Sequence, residues 1–238
     1  MPARSGGGPG AGPERGRFLV FEGLDGAGST TQMGLIGDWF HALGIPTVLT
    51  AEPSPTAIGE HIRHVLRSEP WADDVSWAEH MALLFSADRA QHLFSPGPGI
   101  QAALQRADWV LCDRYLVSSL AYQTSPDVPA EWVLAINRPA LRARPDVTVY
   151  VDTPVAVCLE RIAHRQAGPG RPAHDDVFHD ERRLVGIAAK YSEFLAQTDV
   201  TGHLIAVDGS QPIDQVCRSI KEALLDWSRA VGAGLPSG

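Results

Sequence analysis

A glycine-rich turn between an apolar run and a helical pattern constrains this chain more than any other feature. The apolar run Phe18–Glu22 is typical of a buried strand. Three glycines follow it closely: Gly23, Gly26 and Gly28. Glycine lacks a Cβ and tolerates positive φ, so this turn can bring its backbone N–H groups close to an anion. The next helix would direct its N-terminal N–H groups and positive dipole end to the same point, which predicts an anion-binding loop.

The spacing of these glycines is that of a P-loop, Gly-x-x-x-x-Gly-Lys-Ser/Thr. Ser29 stands at the position of the phosphate-binding lysine, and Thr30 supplies the hydroxyl that such loops use to hold Mg²⁺. The alternative is a glycine-rich turn that binds no ligand, and the loop alone does not decide between the two. The chain has only two lysines, Lys190 and Lys221, so arginine must fill almost every cationic role.

Strand-like and helix-like segments alternate along the chain, which predicts a doubly wound α/β fold with a parallel sheet and helices on both faces. The predicted strands are 17–22, 45–50, 109–112, 147–151 and 204–207. The predicted helices are 28–43, 57–66, 77–94, 100–106, 117–122, 131–137, 155–165, 178–196 and 213–228. Ligands of such sheets bind beyond the carboxyl ends of the strands, so the residues that follow each strand are the first candidates for a site.

The length of 238 residues suits one α/β domain, which we place at residues 17–230. Residues 1–16 are rich in Gly, Pro and Ala and predict a disordered tail. We expect residues 231–238 to form a second flexible tail. Glycines and prolines between residues 166 and 174 exclude regular structure and indicate a mobile loop.

Composition argues against several classes of protein. The net charge of −8 disfavours bulk binding of nucleic acid, which needs a basic surface. No apolar run approaches the ~20 residues of a membrane span, so we expect no membrane partner. The three cysteines, Cys112, Cys158 and Cys217, are widely spaced and fit no metal pattern, which favours a reduced protein of the cytoplasm.

Charged and aromatic side chains follow the third predicted strand and share one face of a long helix. Asp113 and Arg114 come directly after the strand, where a carboxylate can reach Mg²⁺ and a guanidinium can bind phosphate. Phe85 and Arg89 are four residues apart on one helix, so they share a face that suits a flat base. The alternatives are a surface turn with a local ion pair, and a core phenylalanine beside a solvated arginine.

Two arginines stand at the margins of the predicted mobile loop, Arg165 and Arg171. Arginines on such a loop can close over a transferring phosphate. The alternative is an exposed connection without a function.

Taken together, these segments resemble the thymidylate kinase family, P-loop enzymes that phosphorylate dTMP with ATP. The resemblance runs from about Phe18 to Leu225 and depends on several blocks in one order. They are Phe21–Gly28, Glu52-Pro53, Ile58-Gly59-Glu60 with Ile62-Arg63, Leu84–His92, Asp113-Arg114-Tyr115 with Ser118-Ser119 and Ala121-Tyr122-Gln123, and Pro145-Asp146.

The resemblance implies a P-loop nucleoside-monophosphate-kinase-like fold with ATP and Mg²⁺ as cofactors. The residues implied to cradle the ATP phosphates are Gly23, Leu24, Asp25, Gly26, Ala27, Gly28, Ser29, Thr30 and Thr31. Thr30 and Asp113 would hold the metal ion. The implied partners are dTMP and ATP, in a homodimer of the cytoplasm that binds no nucleic acid.

The resemblance also implies a separate site for the acceptor nucleotide. The residues implied to bind dTMP are Glu52, Arg63, Phe85, Arg89, Arg114, Ser119, Tyr122 and Gln123. The implied catalytic residues are Asp25, Arg114, Arg165 and Arg171, the last two on a lid at about 166–176.

Two positions depart from the family's pattern, since Ser29 replaces the lysine and Ala51 stands where the family usually has arginine. Both remove positive charge from the phosphate site, and phosphoryl transfer depends on positioning and charge stabilisation. Three functions stay open at this point: a dTMP kinase whose lid arginines offset the lysine, an impaired nucleotide-binding relative that acts as a regulatory or scaffold dimer, and a nucleoside kinase. Arg63 and Arg114 argue against the last, because a nucleoside has no phosphate.

Overall fold

The computed structural model describes residues 15–68, 75–166 and 181–236. Within these ranges five strands form one parallel sheet in the order β2-β3-β1-β4-β5. The strands are β1 (Phe18–Glu22), β2 (Thr47–Ala51), β3 (Trp109–Asp113), β4 (Val147–Asp152) and β5 (His203–Asp208). The predicted α/β fold with a five-stranded parallel sheet is therefore confirmed.

Ten α-helices connect and flank these strands in the described part of the chain. They are α1 (Ser29–Ala42), α2 (Ala57–Ser68), α3 (Val75–Phe94), α4 (Ile100–Gln105), α5 (Leu116–Gln123), α6 (Ala130–Ile136), α7 (Val155–Gln166), α8 (Glu181–Phe194), α9 (Thr198–Thr201) and α10 (Ile213–Val231). A short 3₁₀ helix spans Ala140–Arg142. The sequence predicts neither this turn nor α9, because both are too short to show a helical period. Across the three described ranges, no helix has the length and apolarity needed to cross a bilayer.

The central strand β1 pairs with β3 on one side and with β4 on the other, so that Leu19 lies opposite both Leu111 and Val147. The connection after β1 crosses the sheet in one direction, and the connections after β2, β3 and β4 cross it in the other. Because crossovers between parallel strands are right-handed, helices cover both faces. Such sheets bind ligands where the direction of crossing changes, which here is the carboxyl end of β1.

The core surrounds the two central strands, as their composition predicts. All residues of β1 and β3 are buried, which is typical of parallel strands covered on both faces. From α1, Ile36 and Phe40 are fully buried, and the Phe40 ring meets the Trp109 ring edge to face at 5.0 Å. Burying each such side chain stabilises the fold by about 1.5–3 kcal/mol. This packing fixes α1 and the loop that precedes it against the sheet.

Both ends of the described chain contact the domain. Arg15 Nη2 donates to Asp146 Oδ1 at 2.6 Å. Leu235 is buried, and its N–H donates to Ser228 Oγ at 2.9 Å. Residues 15–16 and 231–236 are the only parts of the two predicted tails within the described ranges, so both tails stay predictions. Residues 1–14 and most of the predicted lid lie outside the described residues.

Candidate active site

The glycine-rich loop joins β1 to α1 at the carboxyl end of the central strand. Gly26 has a φ of 84°, and a Cβ there would lie 2.5 Å from the Cys158 carbonyl oxygen. Gly28 has a φ of 101° and is the N-cap of α1, without a hydrogen bond from a capping side chain. Both conformations favour glycine. The first N–H groups of α1 are therefore available to an anion, as predicted for a P-loop.

Two hydroxyls at the start of α1 bind the carboxylate of Asp113, which ends β3. Ser29 Oγ donates to Asp113 Oδ1 at 3.0 Å, and Thr30 Oγ1 donates to Asp113 Oδ2. The structure thus brings together Thr30 and Asp113, the pair predicted to hold Mg²⁺. Their oxygens are of the type that Mg²⁺ prefers, and this ion usually keeps several water or phosphate ligands. Among the described residues, no group of three or more His, Cys, Asp or Glu side chains is placed to hold a metal ion.

Arg161 of α7 binds the backbone of the glycine-rich loop. Its Nη1 donates to the Ala27 carbonyl at 3.1 Å and to the Gly26 carbonyl at 3.4 Å, and its Nη2 donates to the Gly209 carbonyl at 2.9 Å. A Cβ built on Gly28 would lie 3.9 Å from Nη1, so this guanidinium lies beside the residue that precedes Ser29. Arg161 is not among the residues predicted from the sequence.

The predicted lid arginines take no described position in the site. Arg165 is exposed near the end of α7, and Arg171 lies outside the described residues. Of the two lysines in the chain, Lys190 donates its Nζ hydrogen to the Thr124 carbonyl, and Lys221 Nζ lies 5.4 Å from the Trp39 ring centroid. Both ammonium groups therefore have partners outside the glycine-rich loop.

A cavity of about 230 Å³ includes Asp25 of the loop in its wall. Seven of the eight residues predicted to bind dTMP line it as well: Glu52, Phe85, Arg89, Arg114, Ser119, Tyr122 and Gln123. The exception is Arg63, which is not among the lining residues. Its Nη1 donates to the Pro53 carbonyl at 2.7 Å and its Nη2 to the Ser54 carbonyl at 3.0 Å. Arg63 therefore holds the segment after β2 in this structure, and its role as a phosphate clamp stays a prediction.

Arg89 is buried in the cavity wall and is held mainly by Glu52. Its Nε and Nη2 donate to Glu52 Oε2 at 2.9 and 2.6 Å. Its Nη1 donates to Asn137 Oδ1 at 2.5 Å, and its Nη2 also donates to Ser119 Oγ at 2.9 Å. Burial lowers the pKa of Arg89, but Glu52, Tyr115 and Glu22 together outweigh burial and raise the pKa above its ordinary value. The guanidinium is therefore charged and fixed in one orientation.

Arg114 has a φ of 71°, a left-handed conformation that is rare outside glycine and that marks a position held by its surroundings. Its Nη2 donates to Asp25 Oδ1 at 2.6 Å, and its Nη1 lies 3.2 Å from Ser118 Oγ and 3.3 Å from the Tyr191 hydroxyl. Burial lowers the pKa of Arg114, but the surrounding groups, with Tyr122 and Asp25 first among them, together outweigh burial and raise the pKa well above its ordinary value. Two predicted catalytic residues, Asp25 and Arg114, are thus in contact.

Glu22, the last residue of β1, is completely buried. Its Oε1 accepts the N–H groups of Tyr115 and Ser118 at 3.0 and 3.2 Å, and its Oε2 accepts the hydroxyls of Ser118 and Tyr191 at 2.5 and 3.0 Å. Burial raises the pKa of Glu22, and the hydrogen bond from Ser118 and the charge of Arg114 offset this only in part. Neither Glu22 nor Tyr191 is predicted from the sequence. The sequence does contain one signal for Glu22, since an acidic residue at the end of an apolar run is unusual and could have marked it as a functional candidate.

Gln123 lines the cavity and, in the described part of the chain, carries a buried amide oxygen without a hydrogen-bond partner. The residue is 5% exposed, and its Oε1 has no hydrogen-bond partner among the described residues. A buried acceptor without a partner costs about 1–3 kcal/mol. A ligand that donates a hydrogen bond at this point would remove that cost. Phe85 lines the same cavity and supplies an aromatic ring.

The parallel sheet, with its glycine-rich loop at the end of the central strand, defines an α/β protein of the P-loop nucleoside-monophosphate-kinase type. The family model for thymidylate kinase matches residues 21–220. This chain therefore belongs to the thymidylate kinase family, which confirms the resemblance seen in the sequence.

Curated relatives carry the same name. The thymidylate kinase of Pelotomaculum thermopropionicum is 42% identical over 151 residues, which cover 63% of this chain and 68% of the relative. The thymidylate kinase of Alkalilimnicola ehrlichii is 36% identical over 214 residues, covering 88% of this chain and 93% of the relative. The thymidylate kinase of Thermosynechococcus vestitus is 36% identical over 225 residues, covering 89% of this chain and 88% of the relative.

Proposed function

We propose that this protein phosphorylates dTMP to dTDP, with ATP as the phosphate donor and Mg²⁺ as the metal ion. One observation carries the proposal: a single cavity collects Asp25 and seven of the eight residues expected to bind dTMP. These residues come from segments that are far apart in the chain. Because a nucleotide-binding relative without activity has no need of a full acceptor cavity, this arrangement favours the kinase over the regulatory or scaffold dimer.

The hydrogen-bonding groups of the cavity suit thymine or uracil. Arg89 Nη1 carries two hydrogens, of which Asn137 takes one, so the other can serve a carbonyl oxygen of the base. The unpaired Oε1 of Gln123 needs a donor, which N3–H of thymine supplies. Cytosine presents an acceptor at N3 and an amino group at C4, so it matches neither. The Phe85 ring would stack on the base, and Ser119 would support Arg89.

The sugar and phosphate of dTMP would lie at the end of the cavity formed by Asp25, Arg114 and Tyr122. Arg114 carries a firmly held positive charge, which suits it to the acceptor phosphate. The Tyr122 ring lies 5.0 Å from the Arg114 guanidinium carbon and would crowd out a 2′-hydroxyl. Selection for deoxyribonucleotides would follow from this contact.

On the donor side, the residues from Gly23 to Thr31 would bind the ATP phosphates through backbone N–H groups and the start of α1. Thr30 and Asp113 would hold Mg²⁺, which neutralises charge on a triphosphate. With serine at position 29, we infer that guanidinium groups supply the missing positive charge. Arg161 would act through the loop backbone, and Arg165 and Arg171 would act from the lid.

Formation of dTDP by the pure protein, with ATP and Mg²⁺ at saturation, tests the proposal. Rates measured with dTMP, dUMP, dCMP, ribothymidine monophosphate and thymidine show which acceptor the protein prefers. We expect dTMP to be used best, dUMP less well, and dCMP and thymidine hardly at all. Arg89→Ala should lower kcat/KM for dTMP at least about a hundredfold, whereas Gln91→Ala on the exposed face of α3 should not. No turnover with any nucleotide would refute the kinase and leave the nucleotide-binding dimer.

We also propose a homodimer in the cytoplasm. Leu83 on α3 is 52% exposed, and Leu49 on the edge strand β2 is 49% exposed, so apolar surface is available for a second copy. All three cysteines are free and buried, as in reducing compartments. Light scattering would give the mass in solution, and Leu83→Glu should shift a dimer to a monomer.

A further inference from the structure

One carboxylate and two hydroxyls form a network that ends on Arg114. Glu22 and Tyr191 are fully buried and do not line the cavity, whereas Arg114 and Ser118 do. Glu22 Oε2 lies 2.5 Å from Ser118 Oγ and 3.0 Å from the Tyr191 hydroxyl. Arg114 Nη1 lies 3.2 and 3.3 Å from the same two hydroxyls. The network joins β1, α5 and α8 to a single guanidinium nitrogen.

The guanidinium of Arg114 fixes the direction of the two bonds that it makes to these hydroxyls. Arg114 Nη1 can only donate, so the hydroxyls of Ser118 and Tyr191 must accept from it. Each hydroxyl has one hydrogen of its own, and the ionised carboxylate of Glu22 can accept both of them. The Tyr191 hydroxyl also lies 2.8 Å from Ser118 Oγ and 3.2 Å from the Gly23 carbonyl oxygen. The other oxygen of Glu22 is already occupied by two backbone N–H groups. When both hydroxyls donate to Glu22, their lone pairs are left to accept from Arg114.

The second guanidinium nitrogen of Arg114 is held separately. Nη2 lies 2.6 Å from Asp25 Oδ1, while the two hydroxyls hold Nη1. Contacts at both nitrogens fix the plane of a group that itself lines the cavity. A guanidinium fixed in this way can bind a phosphate with little further loss of side-chain entropy.

We propose that Glu22 is a positioning residue for the acceptor phosphate, which acts by orienting the hydroxyls of Ser118 and Tyr191 on Arg114. The inference rests on the proposed function, in which Arg114 binds the phosphate of dTMP. Under this proposal, the acid at the end of β1 and the tyrosine on α8 both contribute to substrate binding. Both act through Arg114, and neither touches the substrate.

Calorimetric binding of dTMP and of thymidine tests the inference, because only dTMP presents a phosphate. The test variants are Glu22→Gln and Tyr191→Phe, and the matched control is Tyr150→Phe. The ring of Tyr150 packs 5.4 Å from that of Tyr191, but its hydroxyl is not part of the network. We expect each test variant to raise the Kd of dTMP about tenfold or more, as for a lost hydrogen bond to a charged group. The Kd of thymidine, and both constants of the control, should stay unchanged.

A merely structural role would weaken both ligands alike. An unchanged ratio of the two dissociation constants in folded Glu22→Gln or Tyr191→Phe would therefore overturn the inference, and Tyr191→Phe alone decides if Glu22→Gln does not fold. The double variant Glu22→Gln with Arg114→Ala should show the same ratio as Arg114→Ala alone, since both act on one contact. A further loss in the double variant would also refute this route. Equal affinity of the unaltered protein for dTMP and thymidine would instead contradict the proposed function.

Discussion

Ser29 Oγ lies 3.0 Å from Asp113 Oδ1, so the side chain that replaces the P-loop lysine is bound to the expected metal ligand. Thr30 binds the other oxygen of the same carboxylate. The loop thus orients Asp113 with two hydroxyls and brings no positive side chain of its own to the triphosphate. Any compensation must come from other elements: among the described residues, Arg161 of α7 binds the loop backbone and Arg114 binds Asp25 of the loop.

Ser29→Lys should raise kcat/KM for ATP about tenfold or more, because one preorganised donor in an active site is commonly worth ~10²–10³ in rate. The rate of dTDP formation at varied ATP and saturating dTMP measures this. Gly34→Lys is the matched control, since it adds the same charge to α1 at a position where a Cβ would meet nothing within 4 Å. A gain in both variants would indicate a general effect of charge, and a loss in Ser29→Lys would show that the arginines leave no place for an ammonium group.

Arg161→Ala should raise the Kd of a non-hydrolysable ATP analogue about tenfold and leave the Kd of dTMP unchanged. The physical reason is that Arg161 binds two carbonyls of the loop. Without it, the phosphate-binding N–H groups lose their common orientation. Arg218→Ala, an exposed arginine on α10, is the control for loss of charge. If both nucleotides bind more weakly in Arg161→Ala, the arginine stabilises the whole domain and has no particular role at the loop.

Glu52→Gln should lower the free energy of unfolding by about 3–5 kcal/mol, because it leaves the charge of Arg89 buried without its counter-charge. Urea denaturation monitored by tryptophan fluorescence gives this value. Asp226→Asn breaks the exposed pair of Asp226 with Arg229 and should leave stability nearly unchanged. Equal effects of the two substitutions would contradict a structural role for the buried pair.

The stability of the protein should depend on pH through Glu22. Burial raises the pKa of Glu22 above its ordinary value of 4.5. At a pH between 4.5 and this raised pKa, the folded protein keeps a proton that the unfolded chain releases. The stabilisation is fully present below pH 4.5 and is lost as pH rises through the folded pKa. Of the groups that face this carboxyl, Arg114 and Tyr191 have pKa values raised well above their ordinary ones and do not titrate there.

Parallel urea denaturation of the unaltered protein and Glu22→Gln, from pH 4.5 to 7, checks this dependence. Because glutamine cannot titrate, the stability of the unaltered protein relative to the variant should fall as pH rises. A relative stability that stays constant or increases with pH would show that the carboxyl is not destabilised by burial.

The sheet could be predicted because its buried strands are continuous apolar runs. The five residues of β1 are all buried, and the glycines after it mark its end. The cavity was largely predictable from family blocks such as Phe85 with Arg89. The network around Arg114 could not be predicted, because the Tyr191 hydroxyl meets Glu22 across 169 residues of sequence. The resemblance implies that Arg63 binds the phosphate, but it could not predict that this side chain also binds the carbonyls of Pro53 and Ser54.

The placement of the two lysines bears on how this protein can be detected. An ATP derivative with an acyl group on its terminal phosphate would acylate an amine close to the bound phosphates, and in a P-loop that amine is the loop lysine. Here the loop carries the hydroxyl of Ser29, and the amines of Lys190 and Lys221 contact Thr124 and Trp39. Labelling of cell extracts with such a reagent would therefore miss this kinase, whatever its turnover rate.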